Sequence, residues 1–372
     1  MPEKISGIFF ALYIQKSCET VIWDTFDIKT PDSRPENLPL GITTDEGVIP
    51  NGKKYKDHVK TSRSLIGMDD TTGEYLKVTI INTALLILNA NSRNGGNTDI
   101  QEGLQLLKSA NINIIQKNSG SAHETTLIIR NYCTQIQLVI LGGGDGTISS
   151  AAETLYRHKL PFAILPLGTA NDLARSLGIS NNLPDAFQTI LNNYRSKINL
   201  GVINGRYFLN AAHIGLGVTV THELTPEVKK KWGVLGYLKA AIAAFKNNHS
   251  FRVTITANGE SHRMRSIQLA VGNGRYYGGG NVIDENSEID DGLLCLYSLP
   301  PSTLWELLTR APFLRYGKHS QMQKTFTISS KRIEVMTKHA KEIHADGEPV
   351  SKTPALFEVI PHALEVIRPT PN

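Results

Sequence analysis

The chain has 372 residues, two to three domains' worth at roughly 150 residues each. It is 40% hydrophobic and 20% charged, which excludes a disordered, collagen-like or disulfide-stapled chain. Lysine plus arginine exceed aspartate plus glutamate by 39 to 34, and a net +5 allows an anionic partner without demanding one. Cys18, Cys133 and Cys295 are odd in number and far apart, which fits a reducing, cytoplasmic setting. No apolar run reaches the roughly 18 residues that span a bilayer. The apolar run at 8–14 is too short and lacks a signal-peptide cleavage site. A soluble, multidomain protein is expected.

Residues 1–80 stand apart. Short β-like stretches at 7–14 and 20–28 precede a polar connector with Pro31, Pro35, Pro39 and Pro50, so a β-rich accessory element and linker are expected. At 83–89 the texture changes to a near-continuous apolar run, the mark of a strand buried on both faces. Helices at 99–110, 122–132, 148–157, 171–177 and from Pro184 to 194 then alternate with strands at 112–116, 136–141 and 162–165. That alternation predicts right-handed βαβ units on a parallel sheet. Beyond Lys197 short strands dominate, at 198–202, 207–212, 251–257, 266–271, 293–298, 326–328, 332–336 and 357–359. Helical patterns interrupt them only at 234–246 and 302–314. The fold class is therefore α/β followed by a β-sandwich, with the cleft between them as the default site.

Three loops carry the chemistry. Leu141-Gly142-Gly143-Gly144-Asp145-Gly146-Thr147 lies where a buried strand yields to a helix. Its glycines let backbone N–H groups approach a phosphate at a helix N-terminus. Asp145 cannot favour an anion by itself, so magnesium or a ribose hydroxyl is its natural partner. Thr147 can cap the helix or touch a phosphate oxygen. A plain strand–helix turn is the alternative, but one glycine would serve that. A second loop at 166–175 offers Gly168 and Thr169 in the same way. Its Asn171 and Asp172 are also ordinary first-turn capping residues. The third, at 89–96, brings Asn89 and Ser92 to the same carboxyl edge of the sheet. Three such loops at one edge point to nucleotide phosphates. Neither GxxxxGK[ST] nor GxGxxG with its distant acid occurs, which disfavours P-loop enzymes and Rossmann dehydrogenases.

GGDGT at Gly143–Thr147, with PLGTANDLAR at Pro166–Arg175, resembles the catalytic domain of the diacylglycerol kinase and bacterial lipid kinase family. The stretch 89–96 resembles that family's opening nucleotide loop, with Ala90 in place of the usual proline. NAD kinases and phosphofructokinases share a loop like GGDGT, and the GTxND loop separates them. The match continues through 210–217, 278–280, 289–294 and 346–348, from about Thr83 to the C-terminus, and leaves 1–80 outside.

The resemblance implies a fold like that of the NAD kinase–phosphofructokinase superfamily, with ATP and lipid meeting in the cleft. It also implies that a last strand near 364–367 returns to the first domain. The expected division is 1–80 accessory, 81–196 with 362–372 ATP-binding, and 197–361 lipid-binding. By the same resemblance Asp346 is the proton acceptor and Glu348 lines the nucleotide site. Asp291 holds a structural magnesium with backbone oxygens of Glu288 and Leu293, and Asp290 is a ligand or a bystander. At each of these places a simple turn is the alternative, Asp-Gly being a hairpin signal. Glu285-Asn286-Ser287 departs from the family's Pro-acidic-Ala.

An amphipathic stripe of Val234, Leu238, Ile242 and Phe245 follows Lys229-Lys230-Lys231-Trp232. It could dock on anionic lipid or simply cover the sandwich. Arg315, Lys318 and His319 neutralise phosphate or stay solvated. His213 and His344 are expected to be structural, and no cluster suggests zinc. Taken together, the resemblance implies an ATP- and magnesium-dependent lipid kinase acting on the free hydroxyl of a diacylglycerol-like lipid. Sphingoid bases and phosphatidylglycerol are alternative substrates. An NAD kinase-type enzyme and a catalytically silent lipid-binding protein are weaker alternatives. The expected partner is a membrane surface met by peripheral association, with no nucleic acid and with a homodimer left open.

Overall fold

The computed structural model describes residues 45–48, 54–57, 64–68, 75–79, 81–89, 92, 99–223, 249–284, 287–303, 305–306 and 325–371, of which those before 81 and 220–223 as backbone alone. The strands expected at 7–14 and 20–28, the helix at 234–246 and most of that at 302–314 lie outside the described residues. So do Lys229–Lys231, Arg315, Lys318 and His319. Residues 1–83 with 107–113 form one compact unit, and 84–106 with 114–372 form another.

In the first unit, β1 (Asp45–Val48) pairs antiparallel with β2 (Lys54–Asp57), and β3 (Ser64–Met68) with β4 (Tyr75–Thr79). These two ladders fall in the stretch expected to be linker.

The next elements are β5 (Thr83–Asn89), α1 (Gln101–Ser109), β6 (Asn113–Ser119), α2 (Ala122–Tyr132), β7 (Leu138–Gly143), α3 (Asp145–His158), β8 (Phe162–Pro166), α4 (Asp172–Ser176) and α5 (Leu183–Asn192). After them come β9 (Arg195–Ile203), β10 (Arg206–Phe208), β11 (Ala211–Gly215), α6 (Leu216–Glu223), β12 (Phe251–Ala257), β13 (Glu260–Ser266) and β14 (Gln268–Gly272). The rest are β15 (Tyr276–Tyr277), β16 (Asn281–Val282), β17 (Leu294–Leu299), β18 (Phe326–Ser330), β19 (Arg332–Thr337), β20 (Glu342–Ala345), β21 (Glu348–Lys352) and β22 (Ala355–Ile367).

Strands β5, β7 and β8 are parallel, with Ala84 opposite Leu138 and Val139 opposite Phe162. Their apolar runs are buried on both faces, because helices cover a parallel sheet on both sides. The sheet does not end there. It runs β13-β12-β19-β22-β8-β7-β5-β6, with β9 beside β22 and β10 beside β9. Val366 of β22 pairs parallel with Phe162, and Phe357 of the same strand pairs with Ile333 of β19 and Ile203 of β9. The register shifts between Ile360 and Leu364, around Pro361, which has no N–H to give a ladder. A second, antiparallel sheet runs β18-β17-β14-β11-β20-β21. The antiparallel end of the long sheet packs on it through Phe251, Val253, Ile255, Leu269, Leu294, Ile333, Val335, Ile343 and Phe357. That is the expected sandwich.

Besides β1–β4, the strands β13, β15, β16, β20 and β21 were not expected. β13 (ESHRMRS) is an edge strand with mostly polar side chains, so it shows no apolar alternation. β20 and β21 are short. Phe357 is fully buried between the sheets. Phe357→Ala is expected to cost about 3–5 kcal/mol in urea unfolding; a loss under about 1 kcal/mol would mean that the sandwich core is not held there.

Candidate active site

Helix α3 begins three residues earlier than its apolar period suggests. Its N-cap is Gly144, so Asp145, Gly146 and Thr147 already form the first turn. The glycine loop is thus short, and the orphan N–H groups of a helix start stand directly behind it. The neighbouring loop lies against it, since Leu167 N donates to Gly143 O at 3.0 Å. A Cβ placed on Gly168 would lie 2.5 Å from the Gly144 Cα. Two backbones meet at this point, and only glycine permits it.

Side chains lace the loops together. Asn89 Nδ2 donates to Thr147 Oγ1 at 2.8 Å, joining the end of β5 to α3. Leu173 N donates to Asp145 Oδ1 at 3.0 Å, joining α3 to α4. Asn171 stands before α4 in the left-handed region, φ 51°, which asparagine tolerates. Its Oδ1 accepts from Gly168 N at 3.0 Å and its Nδ2 donates to Asn181 Oδ1 at 3.0 Å. Simple capping is therefore corrected for Asn171 and Asp172, as neither side chain caps α4. The buried Asp172 reaches 107 residues along the chain instead. Gly279 N donates to its Oδ2 at 2.8 Å and Gly280 N to its Oδ1 at 2.6 Å. Burial raises the Asp172 pKa, opposed by these N–H groups.

Asp346 and Gly347 form the two-residue turn between β20 and β21, with φ of 51° and 94°. Both signs suit the primed hairpin turns that favour Asp-Gly. The turn alternative holds, yet the Asp346 side chain folds back into the protein. Its Oδ2 accepts from Leu209 N at 2.7 Å, and its Oδ1 from Asn210 N at 2.9 Å and Ala211 N at 3.2 Å. Burial raises its pKa, while these N–H groups and the nearby Ser149 hydroxyl pull the other way. Ser149 lies on α3, so the carboxylate stands against the helix that leaves the glycine loop. Buried Asn273 braces this arrangement, its Nδ2 donating to Leu209 O and Asn199 O, both at 2.9 Å. Neither Ser149 nor Asn273 was picked from the sequence. Asn273 sits in Gly272-Asn273-Gly274, a polar residue between two glycines, and that was the available signal.

Other expected residues are placed more loosely. Ser92 Oγ donates to Asn89 O at 2.8 Å, closing its own turn. Thr169 and Glu348 are exposed. Asp291 accepts from Leu293 N at 2.8 Å and Glu288 N at 3.1 Å, so all three expected residues share one turn. Asp290 pairs instead with Arg368, at 3.9 Å. His213 and His344 face each other across β11 and β20. Burial first, then His344, lowers the His213 pKa to about 4, and the neutral ring takes a hydrogen bond from Gln268 Nε2 at 3.2 Å. The residues at 93–96 lie outside the described ones.

Two family models match. The diacylglycerol kinase catalytic domain matches residues 83–203, and the YegS C-terminal NAD kinase beta sandwich-like domain matches 212–368. A probable lipid kinase YegS-like protein of Pseudomonas aeruginosa (strain UCBPP-PA14) is 34% identical over 233 residues, 62% of this chain and 76% of that one. One from Shewanella frigidimarina is 27% identical over 76% of this chain and 93% of its own. The solved structure titled "Crystal structure of a putative diacylglycerol kinase from Bacillus anthracis str. Sterne" has a TM-score of 0.65 and 27% identity, covering 78% of this chain and 96% of that one.

The close loop packing gives two substitutions opposite signs. Gly168→Ala must displace the Gly144 backbone and is expected to cost about 1–3 kcal/mol. At Gly146 nothing lies within 4 Å of an added methyl, so Gly146→Ala is expected to be neutral or to stabilise by up to about 1 kcal/mol. Denaturant titration of both variants checks this; equal effects would contradict the loop contact.

Proposed function

The chain belongs to the family of YegS-like lipid kinases with their diacylglycerol kinase catalytic domain, and from that premise we propose that it transfers the γ-phosphoryl group of ATP to the free hydroxyl of a diacylglycerol-like lipid. One observation carries the reaction: a carboxylate, Asp346, held by three backbone N–H groups against the helix that leaves a glycine-rich phosphate loop. Asn89, Ser92, Gly143, Gly144, Gly146, Thr147, Gly168, Thr169 and Asn171 shape the nucleotide side. Backbone N–H groups and the N-terminus of α3 meet the phosphates there. Asp172 positions the glycines at 279–280, and exposed Glu348 borders the nucleotide across the hairpin from Asp346.

As the lipid oxygen bonds to the γ-phosphorus, the bond to the β-phosphate bridging oxygen breaks. The hydroxyl proton passes to Asp346 and ADP leaves. In a loose transition state positioning of the phosphates contributes most, and the base adds to it.

Magnesium fits two places. Among the described residues nothing donates to Asp145 Oδ2, so that oxygen is open to the cation that accompanies ATP. Asp291 offers one exposed carboxylate in a turn with Glu288 and Leu293, whose N–H groups orient its two oxygens, and their carbonyls would complete a site for an ion that keeps most of its waters. No three acidic, histidine or cysteine side chains gather among the described residues, so each place rests on one carboxylate. When bound, magnesium neutralises phosphate charge.

The test is incubation with labelled ATP, magnesium and a lipid panel in mixed micelles. Label is expected in the diacylglycerol product. Label in a sphingoid base or phosphatidylglycerol alone would reassign the substrate, and transfer only to a soluble acceptor would overturn the proposal. The base acts ionised and burial raises its pKa, so activity should fall with acid at a pH above the ordinary aspartate value of about 3.9. A rate level down to that value would argue against Asp346.

A further inference from the structure

The outer face of the long sheet, at its antiparallel end, carries charge that the reaction does not use. β12 and β13 pair with Arg252 directly opposite Arg265 and Thr254 opposite Arg263, and β19 sets Met336 against Thr254. The alternation that buries Phe251, Val253 and Ile255 turns these three arginines outward. All three are exposed, as is Lys338, and Met336 is 58% exposed among them. Together they line an open groove of about 530 Å³. Among the described residues none of the four cations has an ion-pair partner. By contrast, Arg332, on β19 with Met336, is bracketed by Glu334 and Glu358, at 3.2 and 3.3 Å. Among the described residues Arg265 Nη2 donates to the neutral Ser250 hydroxyl alone, at 2.7 Å. Like charges directly opposite on a strand pair destabilise it, and an anionic partner would relieve that repulsion.

We infer that this face seats the protein on an anionic phospholipid bilayer. The three arginines and Lys338 meet lipid phosphates, and Met336 enters the headgroup layer. A bare phosphate would need the cations alone, whereas an exposed methionine amid them suits an interface that is anionic outside and apolar beneath. The inference deepens the lipid-kinase proposal, which requires the enzyme to reach a substrate held in a bilayer.

The test is sedimentation of the full chain with phosphatidylglycerol–phosphatidylcholine vesicles, without ATP. Each basic residue near such a surface strengthens binding about fivefold, so R252Q/R263Q/R265Q together should weaken it about 100-fold. The triple lysine variant should retain binding, and all variants should keep their turnover on a water-dispersed short-chain diacylglycerol. Unchanged vesicle binding by the triple glutamine variant would overturn the inference, as would equal binding of the unaltered chain to pure phosphatidylcholine. The binding arm contains no substrate turnover, so a protein that phosphorylated no lipid would fail the earlier test and still be read here.

Discussion

A carboxylate proposed to accept a proton in a half-buried turn must stay charged with little help from water. Asp346 meets that constraint with backbone. Three consecutive N–H groups, from Leu209, Asn210 and Ala211, point at its two oxygens and stand in for lost solvent. The left-handed hairpin turn makes this reach available, because φ values of 51° and 94° tuck the Asp346 side chain back over β11. The stretch 209–211 must in turn be rigid, and Asn273 fixes it from the other side. Burial and N–H donation pull the pKa in opposite directions, and a base needs both: raised enough to take a proton, held low enough to be ionised before it does.

The same device recurs at Asp172, which binds two glycine N–H groups of the 278–280 turn. In each case a carboxylate from one element secures backbone from a distant one. β22 makes such long-range ties affordable. Its thirteen residues pair with the parallel strand β8 at one end and the antiparallel strand β19 at the other. The glycine loops, at the ends of β7 and β8, are thereby tied to the antiparallel end of the same sheet, which packs on the sheet that carries the Asp346 hairpin.

Much of this was legible in the chain. The runs 83–89, 136–141 and 162–165 announce doubly buried strands, and glycines after two of them mark the loops proposed to meet phosphate. The resemblance added the roles of Asp346, Asp291 and Glu348, which the residues alone leave open as turns. What the sequence hides is partnership at long range. Nothing near Asp172 says that its carboxylate serves Gly279 and Gly280, and a first-turn position invites capping instead. Asn171 misleads for the same reason, since its left-handed backbone turns the side chain away from α4. β13 escaped because a polar strand lacks apolar alternation, and β1–β4 because four or five residues are too few to show a period. β22 looked like two short strands because Pro361 interrupts its pattern, whereas the protein absorbs the proline as a register shift.

The central claim is that Asp346 takes the proton while other residues hold the nucleotide. The direct measurement is Asp346→Asn, assayed for ATP affinity and for kcat on diacylglycerol. The amide keeps the side chain's shape and one acceptor oxygen but cannot serve as the base. ATP affinity within about twofold of the unaltered protein, with kcat lowered about 10²–10⁴-fold, is the expected result. A kcat within tenfold of the unaltered value, in a variant that binds ATP normally, would contradict it.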